Sequence, residues 1–132
     1  MPENYFFTDS GQEIIREELL DEKAKSLAQS FGEDRRNPLS QTQLRRFFND
    51  LRNLEKRVNR SSFDEVKPLI KMVKSKVAYA SKDKIPHSFE KFMNDSISAI
   101  ENKKDFEAFM LHFEAVVGFS KKYLDKKYQE NQ

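Results

Sequence analysis

The sequence predicts an all-α fold: a single-domain bundle of about five helices over residues 1–132, with flexible ends at 1–8 and 126–132. Three observations lead there. Only 3 Gly and 4 Pro punctuate 132 residues. Apolar side chains recur at spacings of three and four almost throughout, the period of a helix with one buried face. Alternating β-branched runs, which would mark half-buried strands, are absent. A chain of this length buries roughly two-thirds of its unfolded surface. With 37% hydrophobic residues and 12 Phe, it needs no disulfide or metal to stand up.

Ser10 and Glu13 form a capping-box pattern for a first helix, with Ile14, Ile15, Leu19, Leu27, Ala28 and Phe31 on its inner side. Gly32 is placed to end it in a left-handed conformation. The loop EDRRNP follows, and Pro38 opposes continuation. Ser40 and Gln43 repeat the capping pattern before a second helix, which runs to about Arg60 and stops at Ser61 and Ser62. A third helix starts between Ser62 and Lys67, just ahead of Pro68, since proline suits a first turn. It ends near Ser81, with Val66, Leu69, Ile70, Val73, Val77 and Ala80 inside. After SKDKIP, a fourth helix covers His87 to Glu101 and buries Phe89, Phe92, Met93, Ile97 and Ile100. A long fifth helix carries Phe106, Phe109, Met110, Phe113, Val116, Val117 and Leu124. Short loops favour antiparallel neighbours.

The net charge of +2 conceals a strong division along the chain. Residues 1–34 hold 3 Lys/Arg against 9 Asp/Glu, residues 35–84 hold 14 against 5, and residues 85–132 hold 7 against 8. The basic middle points to a polyanionic partner.

Enzyme chemistry is hard to assemble from these residues. There are no cysteines, which excludes zinc fingers and thiol nucleophiles. The glycines are isolated, so no phosphate-cradling loop exists. His87 and His112 are 25 residues apart without metal-ligand spacing, and read as surface or half-buried histidines. Glu17, Glu18, Asp21 and Glu22 share one helix and read as a solvated face. No catalytic residue, metal or cofactor is expected. No apolar run approaches the roughly 20 residues of a membrane span, and MPENYFFTDSGQE lacks the features of a signal peptide. The expected location is the cytoplasm, with no membrane partner.

In the second helix, Arg45, Asn49, Arg52, Lys56 and Arg60 fall in a narrow sector at about 100° per residue, centred about 150° from the apolar stripe. Arg46, Asn53 and Arg57 flank it. Lys67, Lys71 and Lys74, with Lys76 nearby, repeat the pattern in the third helix. If the two helices pack side by side, their basic faces form one continuous patch. Such a patch neutralises phosphates and binds nucleic acid without a sequence code.

"SQTQLRRFFNDLRNLEKRV", "PLIKMVKSKVAYASK" and "FEAFMLHFEAVVGFSKKY" occur in order, covering about residues 39–124. Together they resemble the small helical subunit of type III-A CRISPR interference complexes, the Csm effectors. The resemblance implies a non-catalytic, all-α building block that stacks in several copies as an inner filament. Its partners would be guide RNA and target RNA, copies of itself, the backbone subunits and the large polymerase-like subunit. The family's motifs place RNA contacts on Arg45, Lys74 and Lys76; the reading of the second helix adds Arg46, Arg52, Lys56 and Arg57. Tyr79 also falls in a family motif, but an aromatic at helical spacing is expected in the core. Gly118 stands where the family carries alanine and is expected to permit close helix approach. An alternative is a helical protein–protein adaptor that uses opposed acidic and basic surfaces without touching nucleic acid.

Overall fold

The computed structural model describes residues 5–34, 37–81 and 85–124. A single 3₁₀ turn, Glu17–Leu20, precedes α1 (Glu22–Glu33), α2 (Gln41–Arg60), α3 (Phe63–Ser81), α4 (His87–Ala99) and α5 (Lys103–Tyr123). No strand forms among the described residues, and the fold is all-α as expected. The expected flexible segment 126–132 lies outside the described residues.

The helices pack in a circuit. α5 lies against α1 and α2, α3 against α2 and α4, and α4 closes on α1. Lys67 meets Glu101 while Lys74 meets Ser98, so α3 and α4 are antiparallel. Gln41 meets Ser120 and Phe48 meets Phe113, so α2 and α5 are antiparallel too. Inside the circuit, Phe31, Phe89, Phe92, Phe109 and Phe113 form a chain of tilted and edge-on rings with centroids 5.2–6.2 Å apart. Such geometries suit the aromatic quadrupole.

α2 begins as its sequence requires. The Ser40 hydroxyl accepts from Gln43 N at 3.1 Å, and the Gln43 side chain accepts from Ser40 N at 2.9 Å. Two orphan amides are thereby satisfied reciprocally. α3 starts at Phe63, with Ser62 Oγ accepting from Glu65 N at 3.2 Å. Pro68 therefore lies inside the helix rather than in its first turn. The burial of Phe63 and Val66 anchors the turn ahead of it, and the proline removes a single backbone donor.

The N-terminal region differs from expectation. Ser10 caps no helix, and residues 5–16 form a short hairpin in which Phe7 bridges Ile15. Thr8 N donates to Ile14 O at 2.9 Å, and Arg16 N to Phe6 O at 2.8 Å. The turn is set by the Asp9 carboxylate, which accepts from Ile14 N and Glu13 N. Those bonds also hold its pKa below the ordinary value, Ile14 first. A side chain that captures local amides in this way competes with a helix. Gln12 takes a positive φ of 57°. Far from fraying, Phe6 and Phe7 are buried in the core.

Both glycine expectations change. Gly32 sits inside α1 without a positive φ. A Cβ there would lie 2.5 Å from the carbonyl oxygen of Tyr123, so Gly32 is the glycine that permits close approach. Gly118 has nothing within 4 Å of its missing Cβ and permits none. His112 is also more buried than expected: it is fully enclosed, with Nδ1 against the Leu19 carbonyl and its ring edge-on to Phe92.

Candidate nucleic-acid interface

α2 is twenty residues long, about 30 Å of helix. Its core side carries Leu44, Phe47, Leu51 and Val58. Arg45, Arg46, Lys56, Arg57 and Arg60 are all exposed. Among the described residues, none of these five makes an ion pair. Among the described residues these five cations on one helix have no acid partner, which leaves them hydrated. That is the state from which phosphate binding releases counterions.

Arg52 is different. Its guanidinium reaches Glu55 at 3.1 Å and Glu114 of α5 at 3.6 Å, and lies 4.9 Å from the centre of the Phe48 ring. It therefore leans towards α5 and ties the two helices together. The side chain is 39% exposed, so the pairs are screened and weak.

The α3 lysines do not extend the α2 stripe into one patch. Lys67 Nζ donates to Glu101 O at 3.4 Å, Lys71 Nζ donates to Ile97 O and Ile100 O at 2.8 Å each, and Lys74 Nζ donates to Ser98 Oγ at 2.8 Å. All three face the C-terminal end of α4, where the last carbonyls lack helical partners. Desolvation lowers the Lys71 pKa, opposed by Glu101 and reinforced by Lys74. Arg52 points to α5 and these lysines to α4, so the two rows lie on opposite sides of the α2–α3 pair. Lys76 is the α3 member left exposed, and it makes no ion pair among the described residues.

Sequence reasoning misplaced Tyr79. It is 89% exposed, on the outer face of α3 with Met72, which is 51% exposed. The signal was available: nine residues at about 100° each put Tyr79 about 180° from the buried Ile70. The hairpin over α5 was missed as well. Its cue was the turn-forming run TDSGQ between the apolar pairs Phe6–Phe7 and Ile14–Ile15.

The carboxylates of Glu17, Glu18, Asp21 and Glu22 are exposed as expected. Among the described residues no cluster of His, Asp or Glu is arranged to hold a metal ion, and no helix is long and apolar enough to cross a membrane.

Comparison with known families matches residues 16–126 to the family described as Csm2 Type III-A. No curated protein and no solved structure matches. The matched span includes α2, α3 and α5, the helices that carry the three quoted motifs.

Proposed function

Because the chain belongs to the Csm2 type III-A family and is thus a structural subunit of the type III-A CRISPR complex, we propose that its α2 cations grip the RNA backbone within that complex. Several copies stack as an inner filament beside the other Csm subunits, along the guide RNA–target RNA duplex. The chain performs no catalytic step of its own and works in the cytoplasm.

The observation that carries this reading is the row of exposed cations on α2, Arg45, Arg46, Lys56 and Arg57, which make no ion pair among the described residues. Lys76 adds a point charge from α3. Guanidinium forks can take phosphate oxygens in pairs, and ammonium groups act as point charges. Arg52 and Lys74 belong to the same set but must first release Glu114 and Ser98, so their share is smaller. Contacts of this type position the RNA and read no sequence.

The test is a complex reconstituted with wild-type chain or with the Arg45→Glu/Arg46→Glu/Lys56→Glu/Arg57→Glu variant, loading being checked by native mass spectrometry. Target-RNA affinity is then measured across a salt series. The expected result is weaker binding and a flatter dependence of log affinity on log salt, with loading unchanged. Equal affinity and equal slope at full loading would instead support an adaptor that touches only protein.

A further inference from the structure

Tyr79 is 89% exposed, and among the described residues neither a ring nor a cation packs on it. The α2 cations leave it without a role. Met72, 51% exposed, stands nearly two turns away and about 20° round the helix. Lys76 lies about 40° from Met72, between the two. Ser75, Ala78 and Ala80 border the ring with small side chains, so both of its faces are open. A ring held in water adds nothing to the core, and here its companions on the same face are a thioether and an exposed ammonium.

The order of the helices shows what lies beside this face. α3 packs against both α2 and α4. Lys67, Lys71 and Lys74 turn to α4, and Lys76, about 140° from Lys71, borders the α2 side. On α2, Arg52 leans to α5. Arg46 lies about 120° from Arg52 on the side away from Phe48, which is the side towards α3. The two-residue connection at Ser61 and Ser62 folds α3 back beside α2, and equal counts from it bring Tyr79 level with the start of α2, where Arg46 stands. Arg46 and Lys76 are exposed and make no ion pair among the described residues. The acids on these helix faces are the half-buried Asp50, one turn from Arg46, and Asp64 and Glu65, about 21 Å or more along α3 from Tyr79. Residues 66–81 hold four lysines and no acid.

We propose that Tyr79 is a stacking platform for one unpaired base of an RNA strand, with Lys76 and Arg46 on the phosphates that flank it. This rests on the reading that the chain touches RNA, and it names the part of the RNA that α3 takes. Aromatic side chains stack on unpaired bases whatever their identity, because every base has a π-face. Paired bases offer no free face, so the ligand is a base turned out of any duplex. Cations beside the ring match the alternation of base and phosphate along a strand. A protein partner fits less well: the apolar surface is one ring and part of a thioether, whereas apolar sites for proteins are contiguous patches of roughly 300 Å² or more.

The experiment uses Csm complexes reconstituted with wild type, Tyr79→Ala, Tyr79→Phe or the quadruple α2 variant, with loading checked by native mass spectrometry. Tyr79 is exposed, so neither substitution there removes core packing. Target RNA carries 4-thiouridine at one position at a time for photocrosslinking, and its affinity is measured across a salt series. The expected result is a crosslink to Tyr79 from some positions and not from others. Tyr79→Ala should bind target RNA about tenfold or more weakly with an unchanged salt slope, since stacking carries no charge, and Tyr79→Phe should restore binding. Wild-type affinity for Tyr79→Ala, or no recovery with phenylalanine, overturns the assignment. Lost loading of Tyr79→Ala would make the ring a protein contact and overturn it as well. An α2 variant with unchanged affinity and slope would instead overturn the RNA reading itself; if the α2 variant alone weakens binding, only the stacking fails.

Discussion

Lys71 of α3 closes the C-terminal end of α4, its ammonium donating to the Ile100 carbonyl at 2.8 Å. The same group donates to Ile97 O at 2.8 Å. A lysine at helical spacing on a polar face looks like a surface residue, yet this one donates to the Ile100 carbonyl just past the helix and joins Ile100 N on the Ile97 carbonyl. Its charge also lies favourably at the negative end of the α4 dipole.

Replacing Lys71 with Met should therefore destabilise the fold by about 1–2 kcal/mol, since bonds from a charged donor contribute more than neutral ones. Lys76→Met, at an exposed position without an ion pair among the described residues, should change stability by less than about 0.5 kcal/mol. Urea denaturation of the two variants makes the comparison. Equal midpoints would remove the capping role.

The two helical glycines should respond in opposite directions to alanine. At Gly32 the new methyl would meet the Tyr123 backbone carbonyl at 2.5 Å, and neither partner is a flexible side-chain tip. Overpacking of that kind costs about 1–3 kcal/mol. At Gly118 the site is open, so Gly118→Ala should stabilise by about 0.5–1 kcal/mol through helix propensity. Thermal midpoints moving apart in this order confirm the assignment.

His112 should make stability fall in mild acid. Its pKa is pushed from 6.5 down to about 4, chiefly by burial, with the bond to Leu19 opposing and Lys23 adding to the drop. Among the described residues the buried Nε2 has no hydrogen-bond partner, so a proton there would go unpaired. The unfolded chain binds that proton below pH 6.5 and the folded chain does not. The contribution is thus complete above pH 6.5 and lost as pH falls towards 4. From pH 7 to 5 the loss is about 2 kcal/mol. Denaturation at both pH values, repeated with His112→Asn, should show that the variant lacks this increment.

The hairpin should be held mainly from α5. Asp105 is buried at the start of that helix and accepts from Gln12 Nε2 at 2.8 Å and from Glu101 N at 2.9 Å. Asp105→Ala leaves both donors without their partner and should cost about 2–3 kcal/mol, more than Gln12→Ala. Amide hydrogen exchange should show faster opening at Ile14 and Arg16 in both variants.

What the sequence makes legible here follows from the range of the forces involved. The Ser40–Gln43 capping box and the apolar stripes of α2 to α5 are local, and each helix appears where its own residues place it. The hairpin is not local: Gln12 is fixed by a residue 93 positions away, so the pattern around Ser10 reads as a helix start. The basic face shows the same division. Periodicity points Arg52 and Lys71 away from their own helix core, but only the order of the helices reveals that one meets α5 and the other α4. Tyr79 fails for another reason. Aromatic side chains tend to be buried, but the helical angle sets Tyr79 opposite Ile70, and the angle prevails.

The ring pairs of α5 govern when the protein can fold during synthesis. Phe106 meets Phe63, Phe109 meets both Phe6 and Phe92, and Phe113 meets Phe48. α5 follows the other four helices in the chain, so these pairs wait until it has been made, whereas Phe31 and Phe47 already find Phe89 on α4. Until then Phe6, Phe48 and Phe63 lack their α5 partners and form an adhesive surface in reach of chaperones and of neighbouring nascent chains.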